Sequence, residues 1–242
     1  MNDAPLRLLL LSNSRNFGGG YMEHADAWMR AFFGNVRRAA FVPYAGVTVE
    51  WDAYERMVAE RFAQLGIEAV SVHHAKHPVQ EVEAADAILV GGGNTFHLLK
   101  HLYDTGLLWA IRARARAGVP YMGWSAGSNV ACPTIKTTND MPIVEPARFD
   151  AMRLIPFQIN PHYTDATLPN HGGEARAQRL AEFTKSNPTT YVVGLCEGSA
   201  VEVSNGTTKL LGPHNARIFF GSREPVECAP GASMEFLWNV TT

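Results

Sequence analysis

The sequence predicts an α/β fold, a doubly wound and mostly parallel sheet to which antiparallel strands are added near the C-terminus. In the first two thirds of the chain, short apolar runs alternate with segments of helical periodicity, which is typical of parallel sheets covered by helices. The C-terminal part instead contains short strand-like runs separated by Asn-Gly, Gly-Pro and Pro-Gly turns. No linker, repeat or low-complexity stretch interrupts the 242 residues, so we expect a single domain over 1–242.

The individual elements follow from the apolar runs and the helical periodicity. Buried parallel strands are predicted at 6–11, 39–43, 67–72, 87–90 and 119–123. Helices are predicted at 21–33, 51–65, 95–103, 107–117 and 174–185. The antiparallel strands are predicted at 191–195, 200–203, 209–211, 217–220 and 234–238. The apolar run 6–11 is too short for the apolar part of a signal peptide or for a membrane span, so we expect a cytoplasmic protein.

Composition and charge argue against several classes of protein. The formal net charge is -2 and no run is rich in Lys or Arg, so we expect neither nucleic-acid nor membrane binding. With 46% apolar and 18% charged residues, the chain can build a core. Three cysteines at unrelated spacings predict reduced thiols and neither a disulfide framework nor a zinc cluster. These features favour chemistry on small molecules, with no cofactor implied.

A possible nucleophile stands directly after the fifth predicted strand. Residues 123–127 read Gly-Trp-Ser-Ala-Gly, and a helix is predicted to open at Ala126. In this context the G-x-S-x-G pattern predicts a nucleophile elbow, a sharp strand-to-helix turn that projects the hydroxyl of Ser125 above the sheet. The amide of Ala126 is then the expected first donor of an oxyanion hole.

The base and the acid can be sought at the same edge, because sites in doubly wound sheets gather at the carboxyl ends of the strands. His162 closes the apolar run 154–161, and Glu197 follows the predicted strand 191–195. The glycines of 91–93 follow the strand 87–90, so Gly92 could supply a second oxyanion donor. The interpretation is a triad in which His162 accepts the Ser125 proton and Glu197 orients the imidazole.

A rival triad follows the chain order of α/β-hydrolases and uses Ser125, Glu197 or Glu202, and His214. His214 lies in a predicted hairpin turn, however, and no strand end places it near the elbow. The order Ser125, His162, Glu197 instead resembles the Cys, His, Glu order of class I glutamine amidotransferases, which implies a glutamine amidotransferase-like scaffold with serine in place of cysteine.

Six segments carry a more specific resemblance, and they span most of the chain. They are Leu-Ser-Asn-Ser at 11–14, Gly-Gly-Gly-Asn-Thr at 91–95, Gly-Trp-Ser-Ala-Gly-Ser-Asn at 123–129, Thr-Asn-Asp-Met-Pro-Ile-Val at 138–144, Gln-Ile-Asn-Pro-His at 158–162 and Gly-Leu-Cys-Glu-Gly at 194–198. In order and spacing they resemble the peptidase E family of α-aspartyl dipeptidases, the S51 serine peptidases. The resemblance implies Ser125, His162 and Glu197 as nucleophile, base and acid, with oxyanion donors at Gly92 and Ala126. Cys196 departs from the family, where proline is expected.

The resemblance also implies a substrate, since family members remove an N-terminal aspartate. Arg176 matches the family's arginine for the β-carboxylate, and a bidentate guanidinium suits that group. Without the resemblance, Arg176 and Arg179 would be interpreted as an exposed helix face. Asp140 matches a position near the site, where it could bind the α-ammonium group or order its own loop, and Asn94 is a further substrate-binding candidate. Small peptides are the expected partners, and a homodimer is possible.

Two alternatives stay open at this stage, a cyanophycinase-like or other S51-type peptidase of different specificity, and a ligand-binding homologue without turnover. A histidine cluster adds one more question. His73, His74 and His77 follow a predicted strand, but no acidic or cysteine partner lies near them in the sequence, and they do not form a pair one helical turn apart. We therefore predict no metal site.

Overall fold

The computed structural model describes residues 5–166 and 173–239. In these ranges the strands are β1 (Leu8–Leu11), β2 (Arg38–Val42), β3 (Glu68–Ser71), β4 (Ala87–Val90), β5 (Tyr121–Trp124), β6 (Gln158–Tyr163), β7 (Tyr191–Cys196), β8 (Ala200–Ser204), β9 (Thr207–Leu211), β10 (Ala216–Phe220) and β11 (Val226–Cys228). The α-helices are α1 (Asp26–Phe33), α2 (Trp51–Ala63), α3 (Pro78–Ala84), α4 (Thr95–Asp104), α5 (Leu107–Arg116), α6 (Ala126–Ala131) and α7 (Arg176–Ser186).

Seven strands form the main sheet, in the order β3-β2-β4-β5-β1-β8-β9. The first five run parallel to one another, β8 is antiparallel to β1, and β9 is antiparallel to β8. This arrangement confirms the predicted mostly parallel sheet with antiparallel C-terminal strands. The carboxyl ends of β1, β4 and β5 therefore meet at one edge.

Side chains of the central strands alternate between two apolar layers, which is why the sheet is covered on both faces. Leu8 and Leu10 of β1 belong to one buried cluster, and Leu9 and Leu11 belong to the other. Helices α4 and α5 pack on the first face, and α1 and α2 pack on the second. Within the described ranges, no helix is long and apolar enough to cross a membrane.

The C-terminal strands differ from the prediction in one respect, because four of them form a second sheet in the order β11-β10-β7-β6. In this sheet β6 and β7 are parallel, whereas β10 is antiparallel to β7. Buried residues of the second sheet, such as Val193 and Ile218, belong to the same apolar cluster as Leu8 of the main sheet. The second sheet brings the ends of β6 and β7 toward the elbow.

The predicted strand 234–238 is wrong, since residues Glu235–Trp238 form a 3-10 helix. Leu237 is fully buried, whereas Phe236 and Trp238 are partly exposed, so this short apolar run has one inward residue per turn. A short apolar run has no periodicity that separates strand from helix. Strand β11 and helix α3 were not predicted, because both are short and each buries a single residue.

Candidate active site

Ser125 lies on a strained turn between β5 and α6. Its backbone has φ 52° and ψ -110°, a region that residues with a side chain adopt only under tertiary constraint. Its amide donates to the carbonyl oxygen of Leu11 at 3.1 Å, and the hydroxyl of Ser128 donates to the same oxygen at 2.7 Å. The carboxyl end of β1 thus holds the turn through two hydrogen bonds to one carbonyl oxygen.

The glycines of the elbow are required by close backbone contacts. An added Cβ at Gly127 would lie 2.1 Å from the carbonyl oxygen of Val90, and one at Gly123 would lie 2.5 Å from the carbonyl group of Gly127. Real Cβ atoms do not approach so closely, so no larger residue fits at either position. The motif is therefore explained sterically by the packing of α6 on β4 and β5.

The structure places three of the predicted site residues in a hydrogen-bonded chain. Nε2 of His162 lies 2.9 Å from Oγ of Ser125, and Nδ1 of His162 lies 2.7 Å from Oε1 of Glu197. The side chain of Glu197 is 53% exposed, so the carboxylate lies at the mouth of the site. Cys196, despite its departure from the family, is the last residue of β7 and leaves Glu197 within reach of the imidazole.

The rival triad is not assembled in the described part of the chain. His214 is exposed in a bend between β9 and β10, and it has no hydrogen bond to Ser125 or Glu197 there. The carboxylate of Glu202 instead lies 3.2 Å from Nζ of Lys209. The geometry therefore favours His162 over His214 as the partner of the serine.

Ser12 and Asn13, to which the sequence alone assigns no role, hold the backbone at the base and beside the acid. The amide of His162 donates to Oγ of Ser12 at 2.8 Å, and this hydroxyl donates to the carbonyl oxygen of Leu195 at 2.8 Å. The amide of Gly198 donates to Oδ1 of Asn13 at 2.8 Å. Both residues directly follow β1, so the strand-end rule that found His162 could have found them too.

Gly92 lies against the elbow, as the predicted oxyanion role requires. An added Cβ would lie 3.0 Å from Cβ of Ser125 and 3.0 Å from the carbonyl oxygen of Trp124. No backbone carbonyl within the described ranges accepts from the amide of Gly92 or of Gly93. Ala126 is the first residue of α6, so its amide has no intrahelical acceptor. Amides near Ser125 are thus free to bind a negative oxygen.

A buried pair behind this loop is likewise not predicted by the sequence. Nε1 of Trp124 donates to Oη of Tyr54 at 2.9 Å, and this hydroxyl donates to the carbonyl oxygen of Gly92 at 3.1 Å. Burial raises the pKa of Tyr54 to about 12, so the hydroxyl stays protonated and able to donate. The pair fixes the glycine loop from behind. The sequence carries little sign of this role, because Tyr54 lies inside an ordinary amphipathic helix.

The nucleophile opens into a cavity of about 700 Å³, which we call the nucleophile cavity. Ser125 and His162 line it on one side. Val47, Val49 and Ile143 line its outer part and are each about half exposed. Asn94 and Asp140 line it as well. The cavity therefore combines a reactive polar end with an apolar mouth.

Asn94 and Asp140 both make contacts that organise their loops. Oδ1 of Asn94 caps α4 by accepting from the amide of His97 at 3.0 Å, and its Nδ2 donates to the carbonyl oxygen of Met141 at 2.8 Å. Oδ2 of Asp140 accepts from the amide of Thr95 at 2.7 Å and from its hydroxyl at 2.6 Å. Oδ1 of Asp140 has no hydrogen bond to any described residue, so one oxygen stays available to a ligand.

Arg176 lies in a second cavity of about 380 Å³, which we call the arginine cavity. Asp140 lines both cavities and marks their junction, and Lys136 and Arg179 line the arginine cavity too. Nη1 of Arg176 is buried without a hydrogen-bond partner among residues 5–166 and 173–239. Burial lowers the pKa of the Arg176 guanidinium, and neighbouring Arg179 lowers it further. An anion bound beside Arg176 would give the unpaired Nη1 an acceptor and would stabilise the charged form of the guanidinium.

The cysteines do not enter the site. Cys132 is fully buried, its sulfur accepts from the amide of Ile159 at 3.2 Å, and burial raises the pKa of the thiol to about 12. Burial also raises the pKa of the Cys196 thiol. All three cysteines are free, as the sequence predicts, and thiols of this kind are poor nucleophiles.

Comparison with known proteins identifies the family of the chain. The family model of peptidase family S51 matches residues 8–211. Over 232 residues the chain is 47% identical to a peptidase E from Nostoc sp., with 96% of each chain covered. It is also 47% identical over 232 residues to a peptidase E from Shewanella amazonensis, covering 96% of this chain and 99% of that one.

A solved structure of a peptidase from an acI-B1 Actinobacterium matches with a TM-score of 0.69 and 17% identity, covering 95% of this chain and 96% of that one. This likeness shows the fold, whereas the matches along the sequence show the family. The chain is a serine-type peptidase and belongs to peptidase family S51.

Proposed function

We propose that the protein is a serine dipeptidase that removes an N-terminal aspartate from Asp-Xaa dipeptides. The observation that carries the proposal is the hydrogen-bonded chain from Ser125 through His162 to Glu197, with distances of 2.9 and 2.7 Å. The relatives named peptidase E support it, since they cover nearly the whole chain. No cofactor takes part in the proposed reaction.

The reaction divides into acylation and deacylation. His162 takes the proton of Ser125 while Oγ attacks the peptide carbonyl carbon, and it then gives that proton to the leaving amine as the C–N bond breaks. In the second step His162 takes a proton from water, whose oxygen attacks the ester carbonyl carbon, and it then returns that proton to Oγ of Ser125 as the C–O bond breaks and aspartate leaves. Glu197 accepts from Nδ1 and stabilises the imidazolium that forms in each step.

The tetrahedral intermediate needs donors for its oxygen, and the free amides beside the serine can supply them. Ala126 is the first proposed donor, at the N-terminus of α6. Gly92 is the proposed second donor, and the adjacent amide of Gly93 has the same freedom. Each such donor is worth about 100-fold to 1,000-fold in kcat in serine peptidases.

Aspartate recognition is proposed at the junction of the two cavities. Oδ1 of Asp140 would bind the α-ammonium group, and the β-carboxylate would extend into the arginine cavity to reach Nη1 of Arg176. The apolar side chains at the mouth of the nucleophile cavity would contact the leaving residue. Asn94 would contribute to substrate binding indirectly, by holding the loop that carries Met141 through its hydrogen bond to that residue's carbonyl oxygen.

The test of this function is a kinetic comparison of Asp-Leu, Glu-Leu, Ala-Leu and N-acetyl-Asp-Leu. We expect Asp-Leu to be cleaved by far the best, and the acetylated peptide to be cleaved poorly because its amine carries no charge. Fluorophosphonate labelling of Ser125 separates an enzyme from a ligand-binding homologue. Preference for a branched aspartyl-arginine polymer over Asp-Leu would contradict the proposal in favour of the cyanophycinase-like alternative.

The role of Arg176 has a matched control on the same helix. Arg176→Ala should lower kcat/KM for Asp-Leu by about 30-fold or more, because truncating one partner of a closed charge pair typically costs about 2–5 kcal/mol. Arg179→Ala should change kcat/KM for Asp-Leu little. The side chain of Arg179 is 71% exposed, and its ion pair with Glu174 is long, with 3.7 Å between Nε and Oε2.

Cleavage of Ala-Leu decides between specificity and folding in the Arg176 variant. It should stay the same or improve, because the wild-type guanidinium is left unpaired with that peptide. An equal loss on both peptides would show that Arg176 supports the fold, and Lys136 or Arg179 would then be tested as the aspartate-binding cation.

Five further properties remain proposals of the same kind. We propose a single domain over 1–242, for which the shared apolar cluster of the two sheets is support. We also propose that the protein is cytoplasmic, acts on small peptides and binds no nucleic acid. We further propose that it can form a homodimer. Sedimentation of the purified chain tests the oligomeric state.

A further inference from the structure

A cluster of four metal-ligating side chains lies outside both cavities. Asp52 and Glu55 belong to the first turns of α2, and His73 and His74 belong to the 3-10 turn Val72–His74 that follows β3. The sequence showed no acidic partner near the histidines, but the packing of α2 against β3 supplies two. One ligand atom from each of the four lies within 4.8 Å of the other three.

The spacing of these atoms suits a tetrahedral ion. Nε2 of His73 lies 2.8 Å from Oδ1 of Asp52, and Nε2 of His74 lies 3.4 Å from that same oxygen and 2.9 Å from Oε2 of Glu55. Ligands at about 2.0–2.1 Å from a tetrahedral zinc ion are about 3.3 Å apart. Small side-chain movements would therefore place all four atoms around one ion.

Outer contacts orient two of the four ligands, His73 and Glu55, toward this common point. Oγ of Ser71 hydrogen-bonds Nδ1 of His73 at 2.5 Å, which leaves Nε2 to face the carboxylates. The amide of Ser71 donates to Oε1 of Glu55 at 2.9 Å, which leaves Oε2 to face His74. Hydrogen bonds of this kind on the far atom of a ligand are a regular feature of metal sites.

The cluster is also supported on one side and accessible on the other. The side chain of His73 is only 9% exposed and packs against the edge of Trp51 at a ring-centroid distance of 5.8 Å. The side chains of His74 and Asp52 are 58% and 63% exposed. An ion could thus enter from solvent and meet His73 and Glu55, which are already held in place.

We propose that Asp52, Glu55, His73 and His74 bind one divalent transition-metal ion of the zinc class. Two imidazoles and two carboxylates suit Zn²⁺ and Co²⁺ better than the oxygen-seeking Mg²⁺ or Ca²⁺. The ion would link the start of α2 to the end of β3. Helix α2 carries Tyr54, whose hydroxyl contacts Gly92, so the site stabilises an element behind the nucleophile cavity. This inference does not depend on the proposed function.

Calorimetric titration of the chelator-treated full chain with Zn²⁺ tests the proposal. We expect one ion per chain, and His74→Ala and Asp52→Asn should each weaken binding by about tenfold or more. His77→Ala is the matched control, because this exposed histidine lies three residues beyond His74 and outside the cluster. Circular dichroism of each variant checks that the fold is retained.

Two readouts keep the test independent of activity. Zn²⁺ should raise the melting temperature of the wild type and of His77→Ala by a similar amount, and that of His74→Ala clearly less. Bound Co²⁺ should give the visible spectrum of a tetrahedral nitrogen and oxygen site. Equal zinc affinity in all variants, no binding at all, or a thiolate-to-cobalt absorption that moves the ion to Cys196 would each overturn the proposal.

Discussion

The nucleophile cavity and the arginine cavity share Asp140, but they are built from different parts of the fold. In the first, Ser125, His162 and Glu197 all stand at or just beyond strand ends, and hydrogen bonds from the amides of Ser125, His162 and Gly198 hold the backbone there. In the second, Arg176 begins a helix, and the neighbouring cations Lys136 and Arg179 are exposed. A rigid sheet thus positions the reacting groups, whereas loops and a helix face carry the group proposed to select the substrate.

The difference has a kinetic consequence. Variants of the nucleophile cavity that disturb the reaction itself should slow every peptide by the same factor. Variants of the arginine cavity should slow only peptides that begin with aspartate. A substrate-dependent loss in the first group would break this comparison.

The largest effect is expected for the serine and the histidine. Ser125→Ala and His162→Ala should each lower kcat by about 10,000-fold or more, and the double variant should lose little beyond that, because triad residues act as a unit. Single-turnover kinetics on Asp-Leu and Ala-Leu measure the loss. Strict additivity of the two substitutions would contradict the assignment of both residues to one triad.

Glu197→Gln should have the next largest effect, on the order of 100-fold to 10,000-fold in kcat, because it keeps the shape but removes the charge that stabilises the imidazolium. The exposure of Glu197 favours the lower end of this range. Asp140→Asn is the comparison variant. If Glu197→Gln kept nearly the wild-type kcat and Asp140→Asn were inactive, Asp140 would be the better candidate for the acid of the triad.

Gly92→Ala should lower kcat by about 100-fold, because an added Cβ would lie 3.0 Å from Cβ of Ser125 and displace the proposed oxyanion donor. Gly19→Ala is the control, since the nearest atom to its added Cβ is 3.5 Å away, the oxygen of Asn16. Steady-state kinetics on both dipeptides, with thermal unfolding alongside, test this. Wild-type activity in Gly92→Ala would show that the loop takes no part in the reaction.

The smallest effect is expected for Ser12, a positioning residue that acts through His162. Ser12→Ala removes the hydroxyl that links the amide of His162 to the carbonyl oxygen of Leu195, so kcat should fall about tenfold while KM changes little. Ser12→Thr retains the hydroxyl and should recover much of the rate. A rise in KM without a fall in kcat would place Ser12 in substrate binding instead.

Much of the active-site geometry could be anticipated because it depends on short segments and on a topological rule. The elbow at 123–127 is contiguous, and His162 and Glu197 each follow an apolar run that reads as a strand. Ser12 obeys the same rule but is not singled out by the sequence, since a lone serine carries no chemical signal. The catalytic roles themselves remain predictions that kinetics must test.

The α/β class, the family and the position of the sharp serine turn could be read from the chain alone, because periodicity, motif and spacing are properties of contiguous residues. The second sheet, the separation of Arg176 from the nucleophile cavity, and the meeting of Asp52 and Glu55 with His73 and His74 became visible only in the folded molecule. These features join residues far apart in the chain. Their distances depend on how helices pack against strands, and no local pattern encodes that packing.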